Sequence, residues 1–370
     1  MRVQKALLYP LVRENVPLVR FRKLVEQEFS LEIVEAVSPP AYHVDGKDAS
    51  YLDEGENTNF ILSGDFDKAM GRCDCILLAK TEEWSYSEYL LEIVDHLITA
   101  CKNHKNIYCT QKLPEPYHTF FQAYAGRYSV EFSVLEKKIP PLDINRLDRI
   151  YPIHTPILAV AGMNEDCGEF GLQLGLLQTL REEGYRVSYV GSNEYAEWTG
   201  GYAFPRAELE TLPYSFEIKI KYLNAWFRKL EEAEAPDVIL LGIPGGTMPI
   251  DEYNLNSCGY FAYLTGCAVT VDFTVLTIPC VEYLPEYLTQ CQEDMKYRYH
   301  LPVDCLCLSN IQITPPVLEE AKTIVEKDVF SAKRVGRMMD LYREKDVEIL
   351  EAENAKTYRD IVKRLYAKLG

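Results

Sequence analysis

Apolar and polar positions alternate with two different periods along most of the chain. Lys5-Ala-Leu-Leu-Tyr9 is a short apolar run closed by Pro10, and Leu31-Glu-Ile-Val-Glu-Ala-Val37 is rich in β-branched residues; both predict strands. Between them, Val16 to Phe29 places Val, Leu and Phe at helical spacing. Asp74–Ala79 and Asn106–Thr110 predict two further strands, with a long amphipathic helix over Ser85–Lys102 between them. Strand–helix–strand order implies right-handed crossovers and a parallel sheet. A second series begins at Pro156-Ile-Leu-Ala-Val-Ala161. It continues through a helix at Phe170–Glu183, a strand at Tyr185–Val190 and a helix at Leu212–Ala233. Strands at Asp237–Gly242, Thr270–Thr277 and Asp304–Leu308 follow. Past Pro316 the pattern turns helical as far as Gly370, with Lys and Arg denser than elsewhere.

The expected fold class is α/β, with two mainly parallel-sheet domains. Residues 1–136 form a Rossmann-like domain, 137–155 a proline-punctuated linker, 156–315 a P-loop-NTPase-like domain, and 316–370 a helical C-terminal extension. Nothing after the first strand has the spacing Gly-x-Gly-x-x-Gly, so a dinucleotide site is unsupported. A length of 370 residues suits two or three domains, and 47% hydrophobic residues suffice to build their cores. Charge narrows the function classes. The net charge of −17 opposes binding to nucleic acid, which requires clustered Lys and Arg, and docking on an anionic membrane. No apolar run approaches the roughly 20 residues of a membrane-spanning helix. The first residues lack a signal-peptide pattern, so a cytoplasmic protein is expected.

The eleven cysteines include two Cys-x-Cys pairs, Cys73/Cys75 and Cys305/Cys307, both in apolar runs. No Cys-x-x-Cys, Cys-x3-Cys-x2-Cys, His-x3-His or His-Glu-x-x-His occurs, so no metal site is expected and the thiols are read as small core residues. His96 and His104, near a helix end, are expected to play surface roles.

The most informative stretch is Gly162-Met-Asn164-Glu165-Asp166-Cys167-Gly168-Glu169-Phe170. A buried strand runs into a glycine-bounded loop and directly into a helix, the arrangement in which backbone N–H groups and a helix N-terminus surround an anion. Gly-x5-Gly is the spacing of the dethiobiotin-synthetase-like branch of P-loop proteins. The chemistry that follows it is wrong for a nucleoside triphosphate. Glu169 and Phe170 stand where such loops carry Lys and then Ser or Thr, the groups that neutralise the β/γ-phosphates and ligate Mg²⁺. A carboxylate there repels phosphate by about 4 kcal/mol at about 4 Å for an effective dielectric near 20. Either this is a degenerate Walker A loop that has lost nucleotide, or it holds something other than a triphosphate, or its glycines only make tight turns. The strand from Asp237 ends in a second glycine turn, Gly242-Ile-Pro-Gly245-Gly246-Thr-Met-Pro249, with no carboxylate at Gly242, where related proteins place a metal-handling acid. Both turns fall at the carboxyl ends of strands, where open α/β sheets bind ligands. The candidate ligand loop therefore comprises Gly162, Asn164, Glu165, Asp166, Cys167, Gly168, Glu169, Phe170, Gly245 and Gly246. Its mixture of N–H donors, carboxylates and a thiol suits an amine or a peptide backbone better than a polyphosphate. A secondary candidate loop carries His43, Asp45, Lys47 and Asp48. No catalytic residue is assigned.

Two resemblances bear on function. Asp74-Cys-Ile-Leu-Leu-Ala79, the Gly162–Gly168 loop and Asp237-Val-Ile-Leu-Leu-Gly-Ile-Pro-Gly-Gly246 make the architecture similar to that of the D-glutamate N-acetyltransferase family. More closely, Lys5-Ala-Leu-Leu-Tyr-Pro10, Asp45-Gly-Lys-Asp48 and Gly242-Ile-Pro-Gly-Gly-Thr-Met-Pro249 resemble proteins of clostridial-type peptide maturation systems. That family is associated with radical SAM enzymes that modify small Cys-rich ribosomal peptides. The second resemblance implies a non-hydrolytic accessory role, with the precursor peptide or the radical SAM maturase as partner. The first implies a small-molecule acyl- or nucleotide-dependent transferase. Cofactors stay open between none, nucleotide and acetyl-CoA, and a homo-oligomer is not excluded. Without a Cys-x3-Cys-x2-Cys cluster the chain is not itself the radical SAM enzyme.

Overall fold

The computed structural model describes residues 3–79, 87–110, 112–137, 139, 142–144, 147–252, 254–314 and 326–370. The chain divides into two compact units. The first comprises residues 1–137 with 197–200, and the second 138–196 with 201–370. The α/β class read from the sequence is the class observed, with mainly parallel sheets in both units.

In the first unit β1 (Gln4–Tyr9) leads through α1 (Val16–Arg20) and α2 (Arg22–Phe29) to β2 (Leu31–Ala36). The chain then forms α3 (Phe66–Gly71), β3 (Cys75–Leu78), α4 (Ser87–Lys102), β4 (Asn106–Cys109), α5 (Tyr117–Arg127) and β5 (Phe132–Val134). The sheet order is β2-β1-β3-β4-β5, and each neighbouring pair is parallel. Leu7, Tyr9, Ile76 and Leu78 meet Phe66 of α3, Ile93 and Leu97 of α4 and Phe121 of α5 in one apolar core. His96 is drawn further into this unit than a surface role implies. Its Nδ1 lies 2.7 Å from the Tyr9 hydroxyl, its ring stacks on Phe66 at 4.1 Å, and burial lowers its pKa. His104 bonds the Tyr128 carbonyl at 2.9 Å.

The second unit runs β6 (Ile157–Gly162), α6 (Glu169–Glu182), β7 (Val187–Gly191), β8 (Tyr202–Ala203), α7 (Arg206–Thr211), α8 (Phe216–Glu234), β9 (Val238–Gly246), α9 (Tyr260–Ala268), β10 (Phe273–Ile278), α10 (Pro285–Arg298) and β11 (Val303–Leu308). Then come β12 (Ile311–Thr314), β13 (Glu326–Val329), α11 (Ala332–Glu344), β14 (Leu350–Glu351) and α12 (Ala355–Leu369). Its main sheet has the order β14-β11-β10-β6-β9-β7-β8, and β12 and β13 form a separate antiparallel pair. Every residue of β6, β9 and β10 is buried. This is the continuous apolar pattern of central parallel strands covered on both faces. The C-terminal stretch is helical in α11 and α12. Two short strands, β13 and β14, interrupt it, and the helical periodicity of the sequence does not reveal them.

Candidate functional site

β6 and β9 are parallel neighbours, and their register pairs Gly162 with Gly246 after a two-residue shift at Ala161/Gly162. The two glycine turns therefore lie side by side at one sheet edge. Thr247 fastens them, its N–H donating to the carbonyls of Gly162 and Met163 and its hydroxyl to Gly162 at 3.0 Å. Asn256 adds a second clasp. Its amide nitrogen donates to the carbonyls of Met163 and Met248, and its Oδ1 accepts from the Glu165 N–H at 3.2 Å. Gly246 must be glycine for this to happen, because a Cβ there would occupy the place of the Asn256 amide. The loop then turns through two left-handed residues, Asp166 (φ 57°) and Gly168 (φ 78°), into the first turn of α6.

The side chains in the loop have definite partners that the sequence does not show. Arg206 of α7 meets Glu165 at 2.6 Å, and Lys327 of β13 meets Asp166 at 2.6 Å. The two outer carboxylates are thus neutralised by cations 41 and 161 residues away. Cys167 is fully buried, its Sγ 3.3 Å from the Ser309 hydroxyl, and burial together with Glu169 raises its thiol pKa far above the ordinary value. Phe170 packs on Tyr195, with ring centroids 5.9 Å apart.

Glu169 is the decisive residue. It is 5% exposed, and its carboxyl turns back over Gly162, where even a Cβ would collide with its Oε1. Burial, with a smaller contribution from Asp166, pushes its pKa up to about 8; its own backbone N–H and Lys327 act in the opposite direction without prevailing. The Glu169 side chain therefore fills part of the space enclosed by the strand–loop–helix turn, room that an anion held there would need. A similar substitution occurs at Gly242, where the adjoining space is taken by the side chain of Gln173. Gln173 Oε1 accepts from the Tyr189 hydroxyl at 2.9 Å and the Ser192 N–H at 3.2 Å, and its Nε2 donates to the Ser192 hydroxyl at 3.0 Å. Nucleotide and magnesium fit this residue set poorly.

The secondary candidate loop is knitted into its surroundings. Asp48 accepts from the N–H groups of Ser50, Thr58 and Phe60 and from the Thr58 hydroxyl. Burial acts to raise its pKa, but the bonds from Ser50 and Thr58 prevail and hold the carboxyl well below the usual carboxylate range. Asp45 accepts from the Gly64 N–H at 2.6 Å, and Lys47 sits 3.6 Å over the Tyr51 ring. His43 is an exposed left-handed residue, and no hydrogen bond or ion pair joins the four to one another.

Among the described residues no group of three or more His, Cys, Asp or Glu side chains is arranged to hold a metal ion. None of their helices is long and apolar enough to cross a membrane. A cleft of about 330 Å³ opens elsewhere in the second unit, beside Asp304 and Cys305 of β11. Its cations, Lys345 and Arg364, are already paired with Glu282 and Glu348.

No protein-family profile matches the chain, and no curated protein does. Among solved structures it is similar to a DUF1611 family protein from Anabaena variabilis, with a TM-score of 0.60 at 11% identity over 99% of both chains. A cobyrinic acid a,c-diamide synthase from Mycobacterium smegmatis, solved with ADP and magnesium, matches 58% of this chain and 95% of its own, at TM-score 0.35 and 12% identity. A homoserine dehydrogenase from S. aureus matches 37% of this chain and 32% of its own, at TM-score 0.25 and 16% identity. The full-length likeness to the DUF1611 family protein establishes a shared fold across both units.

Proposed function

We propose that this chain is a non-hydrolytic accessory protein of a ribosomal peptide maturation system, binding a precursor peptide or its radical SAM maturase. The observation that carries the non-hydrolytic part is Glu169, whose buried carboxyl lies against Gly162 inside the loop. Phosphoryl transfer depends on a positioned cation and Mg²⁺ to offset charge on the transferring group. Here the corresponding positions hold a carboxyl and Phe170, and the space beside Gly242 holds an uncharged amide. The peptide-maturation context is supported by the sequence resemblance at Lys5–Pro10, Asp45–Asp48 and Gly242–Pro249. The competing transferase reading draws on the retained strand–loop–helix frame and makes a different demand, an acyl donor.

The test combines turnover with binding. Purified protein is assayed with Mg-ATP and Mg-GTP, titrated calorimetrically with acetyl-CoA, and used to capture synthetic Cys-rich precursor peptides and radical SAM maturases of clostridial-type peptide maturation systems. The proposal expects no turnover, no heat with acetyl-CoA, and retention of peptide or maturase. Turnover lost on Gly168→Pro, or saturable acetyl-CoA binding without retention of either partner, overturns it.

A further inference from the structure

The cleft of about 330 Å³ in the second unit has the size of a small-ligand site, and the sheet explains why it is open. β14 pairs only with Cys307 and Leu308 at the end of β11. Among the described residues no strand covers that side of Asp304–Leu306, and the cleft lies along them. Pro285, Leu288, Thr289 and Gln292 bound it from one face of α10, at the i, i+3, i+4 and i+7 spacing of a helix surface. Lys345, Val347 and Glu348 bound it from the segment between α11 and β14, and Arg364 from α12.

Arg364 is poorly matched where it stands. Its Nη2 pairs with Glu348, whose side chain is 71% exposed, and its Nη1 points to the Cys305 sulfur at 3.8 Å. Burial raises the pKa of that thiol to about 11 although Arg364 acts the other way, so Nη1 meets a neutral, weakly accepting sulfur. An ion pair to so exposed a carboxylate adds little net stability and is open to exchange. Lys345 is held in the same way, by an exposed Glu282 at 2.6 Å. Asp304 is fully engaged by contrast, accepting from the Thr274 N–H at 2.9 Å and from Lys368 at 2.6 Å.

We propose that this cleft binds a small monocarboxylate with an apolar body, its carboxylate taken by the Arg364 guanidinium in place of Glu348. A free carboxylate can accept two parallel N–H bonds from the fork, which Glu348 at Nη2 and a thiol at Nη1 do not supply together. Glu348 returns to water, and burial of hydrocarbon against Leu288, Leu306 and Val347 provides the net gain. The remaining charges select against other ligands. A second carboxylate would face Asp304, Asp346 and Glu348, whereas an amine would meet Lys345 and Arg364 with Asp304 already engaged. The site is independent of the glycine loop and of the peptide-binding reading.

The experiment follows the Arg364 Nε–H signal in full-length protein labelled with ¹⁵N-arginine, assigned by its loss in Arg364→Gln. The probes are 4-methylpentanoate, glutarate and 4-methylpentylammonium, compared at matched ionic strength. 4-Methylpentanoate is expected to shift the signal saturably, with a dissociation constant in the millimolar range. Glutarate should bind at least about fivefold more weakly, and the ammonium probe should leave the signal in place. Glu348→Gln, at an exposed position, should tighten 4-methylpentanoate about threefold or more by removing the competing carboxylate. No shift with 4-methylpentanoate up to about 100 mM, or a response to either other probe as strong as to it, overturns the assignment. Affinity unchanged or weakened in Glu348→Gln overturns it as well, since the ligand would then not replace Glu348. The wild-type titrations stand even if Arg364→Gln folds poorly, because the Glu348→Gln comparison needs only a saturable arginine signal.

Discussion

At the scale of single residues, the protonation of Glu169 has a direct consequence for stability. Its carboxyl holds its proton to about pH 8 in the folded chain but has an ordinary value of 4.5 when exposed. The unfolded state therefore loses the proton first, and stability falls as pH rises from 4.5 to 8. Glu169→Gln stays neutral throughout. The variant should gain little over wild type at pH 5 and most at pH 9, by up to about 5 kcal/mol in urea titrations. A constant difference across that range would mean that Glu169 does not titrate in the fold. Asp48 has the opposite sign. Its pKa is lowered, so its contribution is present at neutral pH and is lost as pH falls below the ordinary carboxylate value. Asp48→Ala leaves the N–H groups of Ser50, Thr58 and Phe60 without their acceptor. The expected loss is about 2–4 kcal/mol at pH 7, measured by urea unfolding, and smaller at pH 3.

At the scale of elements, the close approaches in the second unit make a double-variant test. A Cβ on Gly242 would meet the Gln173 side chain and nothing nearer. Gly242→Ala alone should destabilise through overpacking, and Gln173→Ala alone through the bonds lost at Tyr189 and Ser192. The double variant should fall short of their sum by about 1–3 kcal/mol. Strict additivity would mean that the two residues do not share that space. These elements also show what is legible in a sequence and what is not. The strands around Gly162 and Gly242 are evident because continuous apolar runs end at glycines, and parallel pairing brings such ends to one edge. The absence of cationic and metal-binding chemistry at Glu169, Phe170 and Gly242 is equally readable from residue type. The destination of the Glu169 carboxyl is not, since pattern carries no information on rotamers. Nor are Arg206, Lys327 and Asn256, whose roles arise from contacts between distant segments. The strands β13 and β14 escape because they are short and lie among helical signals. His43, Asp45, Lys47 and Asp48 have the residue types of a site, but the turn that contains them uses two of the carboxylates as backbone acceptors.

At the scale of the whole molecule, all eleven thiols are free; nine are buried, Cys267 is partly exposed and Cys258 is exposed. Alkylation of the native protein followed by peptide mass spectrometry should modify Cys258 first and Cys267 more slowly, with Cys167 unreactive until unfolding. Early modification of Cys167 would show that the glycine loop opens in solution. The central claim of the proposed reading is that a strand–loop–helix turn with the spacing of a phosphate-binding loop is occupied by the protein's own Glu169 side chain. Calorimetric titration of Mg-ADP into wild type and into the Glu169→Lys/Phe170→Thr double variant tests it most directly. The account predicts no binding to wild type and measurable affinity in the double variant, where a cation and a hydroxyl stand at those two positions. Wild-type binding as tight as that of the double variant would contradict it.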